Sequence, residues 1–253
     1  MAKSKFEYVR LFETEDRCLP NTWIVVRVDG KGFHKFSAAH DYEKPNDVRG
    51  LGLMTKAAEA VMAEFKEMCL AYGHSDEYSF IFRKDAQAYS RRASKLATNV
   101  SSLFTSAFVW HWHEFFGTQR PSYPPVFDGR VVLYPSDKNM RDYMSWRQAD
   151  CHVNNLYNTT FWALVSKAGM SPSEAEEKLR GTLSGDKNEI LFSQFGINYN
   201  CEPEMFRKGT VLIRKKVPVA LEGGGVREKS QVLQCHCDVI GDTFWKENSQ
   251  LLV

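Results

Sequence analysis

Three carboxylates carry the chemistry this sequence suggests. Asp29 closes the run Ile24-Val25-Val26-Arg27-Val28-Asp29-Gly30, and Asp76 and Glu77 sit in Gly73-His74-Ser75-Asp76-Glu77, between two apolar runs. A β-branched run ending in Asp-Gly reads as a buried strand with its last carboxylate at the rim of a sheet. Two aspartates converging on one rim repel unless one is protonated or a cation lies between them. Magnesium accepts such a pair together with phosphate oxygens and water. Two such ions align an attacking and a leaving oxygen for phosphoryl transfer. Each turn alone is an ordinary solvated turn, since Asp and Gly are common there; their matched positions favour chemistry.

Around these acids stand groups suited to phosphate. The amides of Lys31-Gly32-Phe33-His34 can cradle a triphosphate, although the chain has no Walker A sequence. Lys44, Arg92 and Lys95 can neutralise phosphates from the side, or can simply be solvated. His152, Asn154, Asn155, Tyr157 and Asn158 form a polar cluster. It reads first as a capped helix junction and second as a surface that reads bases. Asp186-Lys187-Asn188-Glu189 and Asn198-Tyr199-Asn200 are similar islands, while Trp146 and Trp162 are expected in the core.

Stepping along the chain gives the elements that must position these groups. After a mixed-charge lead-in over 1–22, expected to hold a short helix, the strand at 24–30 opens the fold.

 The next segment, 35–46, is expected as a polar connection ending in Lys44-Pro45-Asn46-Asp47, with Asn46 or Asp47 as a helix N-cap. Leu51, Met54, Ala58, Val61, Phe65 and Met68 then recur at steps of three and four, which predicts an amphipathic helix. Cys69–Tyr72 and Tyr78–Phe82 are expected as a hairpin about the acidic loop, followed by a helix over 88–116 and a strand at Arg130–Tyr134. Strand–helix–strand–strand–helix–strand is the split βαβ, ferredoxin-like order of an α+β fold, an antiparallel sheet with helices on one face. In that order the first and third strands are neighbours, so Asp29 and the hairpin turn share a rim.

The remainder is expected to be mostly helical. Ser136 starts a helix through Tyr143 and Trp146, and Ser171-Pro172-Ser173-Glu174 starts another. Thr210–Ile213 is expected as a strand and 221–229 as a flexible loop. The division is a catalytic core over 1–135 and a helical, strand-containing region over 136–253, packed as one unit.

Composition narrows the class. The chain has 253 residues, 43% of them hydrophobic and 25% charged, with a formal net charge of +2. That suits a soluble globular protein and gives no bulk signature of nucleic-acid binding. Six cysteines without a C-x-x-C pair predict free thiols in a reducing compartment, cytoplasmic or else nuclear or mitochondrial. Cys235-His236-Cys237 fits no common zinc spacing. No apolar run approaches the roughly 20 residues of a membrane span, and the first residues lack a signal-peptide core.

Together these residues resemble the eukaryotic histidine tRNA guanylyltransferase family. The resemblance rests on Val25–Lys31, Lys44–Asp47, Gly73–Phe80, Ser145-Trp146-Arg147, His152–Asn158, Asn188–Phe192 and Gly196–Asn200, and runs from Met1 to about Arg214. It implies a polymerase-palm-like core that adds one guanosine to the 5′ end of histidine tRNA in the 3′→5′ direction. ATP would adenylylate the 5′-monophosphate, the 3′-hydroxyl of GTP would attack, and pyrophosphate would later be removed. By resemblance, Asp29, Asp76 and the Gly30 carbonyl hold two magnesium ions, and Glu77 is required nearby. Asp29 to His34 with Ser75 would cradle a nucleotide, and Lys44, Arg92 and Lys95 would form a second phosphate site. Arg27, His152, Asn155, Lys187 and Asn198 would contact tRNA, and the assembly would be a homotetramer. His74 is a departure, standing where relatives often carry Gln or Glu. Without the resemblance, the residues leave a nucleotide cyclase open. They also leave a non-catalytic RNA binder that stacks bases on Tyr78, Phe80 and Phe82.

Overall fold

A computed structural model of the chain describes residues 4–220 and 226–252. Its centre is one antiparallel sheet of six strands: β1 (Trp23–Gly30), β2 (Met68–His74), β3 (Glu77–Phe82), β4 (Phe127–Tyr134), β5 (Thr210–Ala220) and β6 (Val226–Cys235). They lie side by side in the order β4-β1-β3-β2-β5-β6. Short α1 (Phe33–Ala39) and then α2 (Val48–Glu64) connect β1 to β2, and α3 (Ala93–Trp110) and short α4 (Trp112–Phe116) lead to β4. The first four strands and their helices therefore follow the expected order.

β1 explains why both faces are covered. Ile24, Val26 and Val28 point into a core with Phe80 and Phe82 of β3, Leu53 and Val61 of α2, and Val100 and Phe104 of α3. Trp23 and Val25 point the other way, into a second core with Ile81 and with Met140, Tyr143 and Met144. The last three belong to α5 (Asp137–Ser166), a helix of 30 residues. The expectation of helices on one face is thus corrected: α2 and α3 cover one face and α5 the other. An apolar run without alternation is the mark of a strand buried on both sides.

α5 also replaces the expected junction at His152–Asn158, because the helix runs straight through it. At about 1.5 Å per residue it is long enough to leave the sheet. Its far end packs with α6 (Pro172–Leu179) and α7 (Ser184–Phe195) through Leu156, Leu164, Ala175 and Leu191. The start of α5 is capped by Ser136, whose hydroxyl accepts from the Asn139 amide. Asp47 caps α2 and Ser171 with Glu174 forms the capping box of α6, both as expected.

Other expectations shift locally. The lead-in holds a 3-10 turn over Glu7–Phe12. The connection at 35–46 contains α1, and the helix expected over 88–116 begins only at Ala93 and breaks at His111. The acidic loop tightens to two residues, Ser75 and Asp76, with Ser75 at φ 50°. The mostly helical remainder, with α8 (Glu204–Lys208) and α9 (Asp242–Glu247), also contributes β5 and β6. These extend the sheet past β2, so the strand expected at 210–213 runs to Ala220. Of the loop expected over 221–229, residues 226–229 belong to β6, while 221–225 lie outside the described residues. Trp146 is 55% exposed, so it is not a core residue. Among the described residues, no helix is long and apolar enough to cross a membrane.

One buried cation fastens the lead-in to the sheet. Arg91 is 6% exposed and donates to the carbonyls of Leu19, Thr22, Lys84 and Ala86 at 2.6, 3.1, 3.0 and 2.8 Å. Replacing it by methionine keeps the stem but strands these carbonyls. Arg91→Met is expected to cost about 3 kcal/mol, read as a lower urea midpoint at unchanged slope.

Candidate active site

The antiparallel pairing of β1 with β3 sets Asp29 directly across from Glu77. It continues one step further, where the Gly30 amide donates to the Asp76 carbonyl at 3.0 Å. Asp29 also faces Asp128 of β4 on its other side. Four carboxylates therefore stand on one rim. Gly30 tolerates no side chain, since a Cβ there would lie 2.6 Å from the Phe33 ring.

The rim opens into a cavity of about 910 Å³. Gly30, Gly32, Phe33 and His34 line it from the turn into α1, and Lys44, Asn46 and Asp47 from the loop before α2. Ser75, Asp76 and Glu77 come from the hairpin, and Asp150, Asn154, Asn155, Tyr157, Asn158 and Trp162 from α5. The α5 residues fall at spacings of three and four, so they form one helix face. The amides that open α1 have no partner within the helix and so remain available to an anion.

The acids are not equivalent. Burial, then the charges of Asp76, Glu77 and Asp128, push the Asp29 carboxyl above its usual range. Burial does the same to Asp76, whose side chain accepts from the Ser75 hydroxyl at 2.9 Å. Burial also opposes ionisation of Glu77, but His74 and Arg147 outweigh it and hold that carboxyl below its usual range. Arg147 donates to both Glu77 oxygens at 3.2 Å, and His74 Nε2 lies 3.0 Å from Oε1. Asp128 is neutralised by Arg130 at 2.8 Å.

Among the described residues Asp29 and Asp76 have no ion-pair partner, and that tests the fit to a metal. Among the described residues no group of three or more His, Cys, Asp or Glu side chains is arranged to hold an ion. Two carboxylates and one carbonyl are few donors for zinc or calcium. They suit magnesium, which keeps water and takes phosphate oxygens to complete its shell. The residues present fit that ion.

Not every expected residue joins this cavity. Arg92 lies 3.9 Å from Asp16 and lines a separate cavity of about 570 Å³ with Arg10 and Arg17. Lys95 is exposed on α3. Lys31 is exposed at the turn, and Arg27 sits on the α5 side of β1 with its Nε buried and unpartnered. Asn155 donates to the Tyr199 hydroxyl at 3.0 Å, and His152 packs on the Tyr199 ring, 5.5 Å between centroids. Lys187 donates to the Thr182 carbonyl at 2.8 Å, and Asn198 accepts from the Asn200 amide at 3.1 Å. Sequence reasoning passed over Tyr42, whose hydroxyl is buried without a partner, and the Asn46 amide nitrogen, buried likewise. Both line the cavity. Trp162, expected in the core, lines it too, with Lys44 Nζ 5.9 Å from the ring. Tyr78, Phe80 and Phe82 are buried to 1%, 0% and 0% exposure, so they cannot stack bases.

The family model described as tRNAHis guanylyltransferase matches residues 6–135, and the Thg1 C terminal domain matches 138–241. The chain belongs to the tRNA(His) guanylyltransferase family. It is 55% identical to the probable tRNA(His) guanylyltransferase of Mus musculus, with all of this chain and 89% of that protein aligned. Against the tRNA(His) guanylyltransferase of Schizosaccharomyces pombe it is 54% identical over 97% of this chain and 96% of the relative. The crystal structure of the Saccharomyces cerevisiae protein superposes with a TM-score of 0.79 at 50% identity, covering 83% of this chain and 93% of that one. A bacterial Thg1-like protein, solved in complex with ATP, shares the fold at a TM-score of 0.74 and 19% identity, over 98% of this chain and 96% of that one.

The raised Asp29 carboxyl has a sign that can be tested. The folded state holds its proton more tightly than the unfolded state does, so stability falls as pH rises past the ordinary carboxylate range. In chelator at neutral pH, Asp29→Asn is expected to melt above the wild type. Magnesium is expected to raise the melting temperature of the wild type and leave that of the variant unchanged. A wild type that melts higher than the variant in chelator would contradict an unbalanced carboxylate pair.

Proposed function

We infer that this protein adds a guanosine to the 5′ end of histidine tRNA, using ATP and GTP. The observation that carries the reading is the placing of Asp29 and Asp76 on one rim, next to a cavity lined by Asp76, Gly30, Gly32, Phe33, His34 and Lys44, in a chain of this family. The strand order β4-β1-β3-β2 with α2 and α3 on one face supports a ferredoxin-like, polymerase-palm-like core.

In this reading Asp29 and Asp76, with the Gly30 carbonyl, hold two magnesium ions. When bound, the ions would stabilise the charge that develops on the attacking and leaving oxygens. The open amides at Gly32–His34 and the Lys44 ammonium receive a triphosphate, and Ser75 fixes the Asp76 carboxylate through its hydroxyl. The cavity would hold the 5′-monophosphate of the tRNA, an oxygen of which would attack the α-phosphorus of ATP, releasing pyrophosphate and leaving AMP joined to the tRNA's 5′-phosphorus. The 3′-hydroxyl of GTP then attacks that phosphorus and AMP leaves, after which pyrophosphate is removed from the new end. Chain growth in this direction needs the activated phosphate on the tRNA, and so needs room for both a tRNA end and a nucleotide. Asn154, Asn158 and Trp162 give the α5 wall polar edges and a ring face for a nucleobase.

Arg27, His152, Asn155, Lys187 and Asn198 are assigned to the tRNA side, and Arg92 and Lys95 to a second phosphate site away from the cavity. Arg10 and Arg17, which share the smaller cavity with Arg92, support that separation. A homotetramer is part of the same proposal, supported by the exposed apolar side chains Phe6, Leu11 and Phe12, at 63%, 87% and 79%. Free thiols at all six cysteines suit a reducing compartment such as the cytoplasm.

The test uses magnesium, ATP, labelled GTP and 5′-monophosphorylated histidine tRNA beside a control tRNA. Label is expected on the histidine tRNA alone. Asp29→Ala and Asp76→Ala are each expected to lower labelling by about 10³-fold or more, with unchanged circular dichroism. Full activity in both variants would sink the two-ion reading, and cyclic nucleotide in place of labelled tRNA would favour a cyclase.

A further inference from the structure

The acidic rim poses a problem of sorting. Glu77 stands directly across from Asp29 and next to Asp76 in sequence, so three carboxylates compete for one place. Only Glu77 is met by a fixed cation. Arg147 is 6% exposed and comes from α5, on the opposite side of the chain's division into family segments. Its Nη1 touches both Glu77 oxygens at 3.2 Å and lies 3.6 Å from Asp150. The guanidinium is held from behind by the Trp146 ring, 3.4 Å from Cζ to the centroid. Ser145-Trp146-Arg147 is one of the stretches that carries the family resemblance, and the reading above gives it no task.

We propose that Arg147 is a positioning residue that holds Glu77 away from the cation site, so that Asp29 and Asp76 alone receive the metal. This rests on the guanylyltransferase reading of the site. The physical reason is charge. A glutamate freed at that register faces the least balanced acids of the rim, and a divalent ion between Asp29 and Asp76 would attract it. A third carboxylate on the ion tightens binding but lowers the positive charge left for phosphate oxygens, and it occupies a place that substrate needs. Arg147 prevents this because its Nη1 donates to both carboxylate oxygens from a buried, always charged guanidinium. The pair also pins α5 to the hairpin, so the wall that bears Asn154, Asn158 and Trp162 keeps its register with Asp76.

The test is a double-substitution cycle on the full chain, with Arg147→Met, Glu77→Gln and the two together, and Arg147→Lys as the conservative variant. Guanosine transfer to monophosphorylated histidine tRNA is followed across magnesium concentration, and melting temperature is followed with magnesium alone. Arg147→Met is expected to lower kcat by about tenfold or more, the scale on which groups around a metal site act, because the freed Glu77 would take a place that phosphate oxygens need. Its melting transition is expected to respond to magnesium at lower concentration than that of the wild type. In the Glu77→Gln background the same substitution is expected to change kcat by less than about twofold and the magnesium response not at all, because neighbours acting through one contact are not additive. Arg147→Lys is expected to recover part of the loss.

Equal losses in both backgrounds would overturn the proposal, since Arg147 would then act without Glu77. A change in KM for tRNA alone would overturn it too, as would a fall in stability with no change in magnesium response. If the wild type transfers no guanosine, the guanylyltransferase reading fails by itself. The magnesium melting cycle then decides separately whether Arg147 keeps Glu77 off the ion.

Discussion

The pairing of β1 with β3 is the constraint on which the rest of this protein depends. It places Asp29 against Glu77 and Gly30 against Asp76, and it forces negative charge together on a half-buried rim. Nothing local requires that arrangement. It is held because both strands are buried on two faces by separate cores, and a slip of one residue would turn every apolar side chain of β1 to the wrong side. The electrostatic cost at the rim is therefore carried by packing elsewhere. Acids held above their usual range on a rim beside a cavity follow the trade between stability and activity seen in enzymes.

α5 converts that rim into a cavity. Its first half covers the sheet face that Trp23 and Val25 present, and its middle supplies Arg147 and Asp150 against the hairpin. Further along it offers Asn154, Asn158 and Trp162 to the open space. One rigid element thus links the core, the charge balance of Glu77 and the cavity wall opposite the Gly32–His34 turn. β5 and β6 have a different effect. By pairing with β2 they make the C-terminal region part of the same sheet, so the two family segments share one hydrogen-bonded framework.

Much of this was legible in local pattern. The first four strands, the caps at Asp47, Ser136 and Ser171, and the stripe of α2 all follow from residue types at short range. The acid pair was legible because topology turns two distant turns into neighbours. What local pattern hid had physical causes. His152–Asn158 looks like a junction because asparagine is a poor helix former, yet packing of Leu156, Thr159 and Thr160 on the buried side keeps α5 intact. Tyr78, Phe80 and Phe82 alternate as a stacking face would, and only the position of α2 and α3 shows that this face is covered. Arg92 and Lys95 share a chain region but not the cavity that holds Lys44.

The sequence by itself determined the strand that ends in Asp29, the existence of an acidic hairpin turn at Asp76, the helix starts and the family resemblance, because each depends on residues close together in the chain. Only the tertiary structure decided which acids are neutralised. Arg147 is 70 residues from Glu77 in the chain and reaches it because α5 lies across the sheet. That contact divides three similar carboxylates into one that is paired and two without an ion-pair partner among the described residues, and no local pattern around Asp29 or Asp76 could have told them apart.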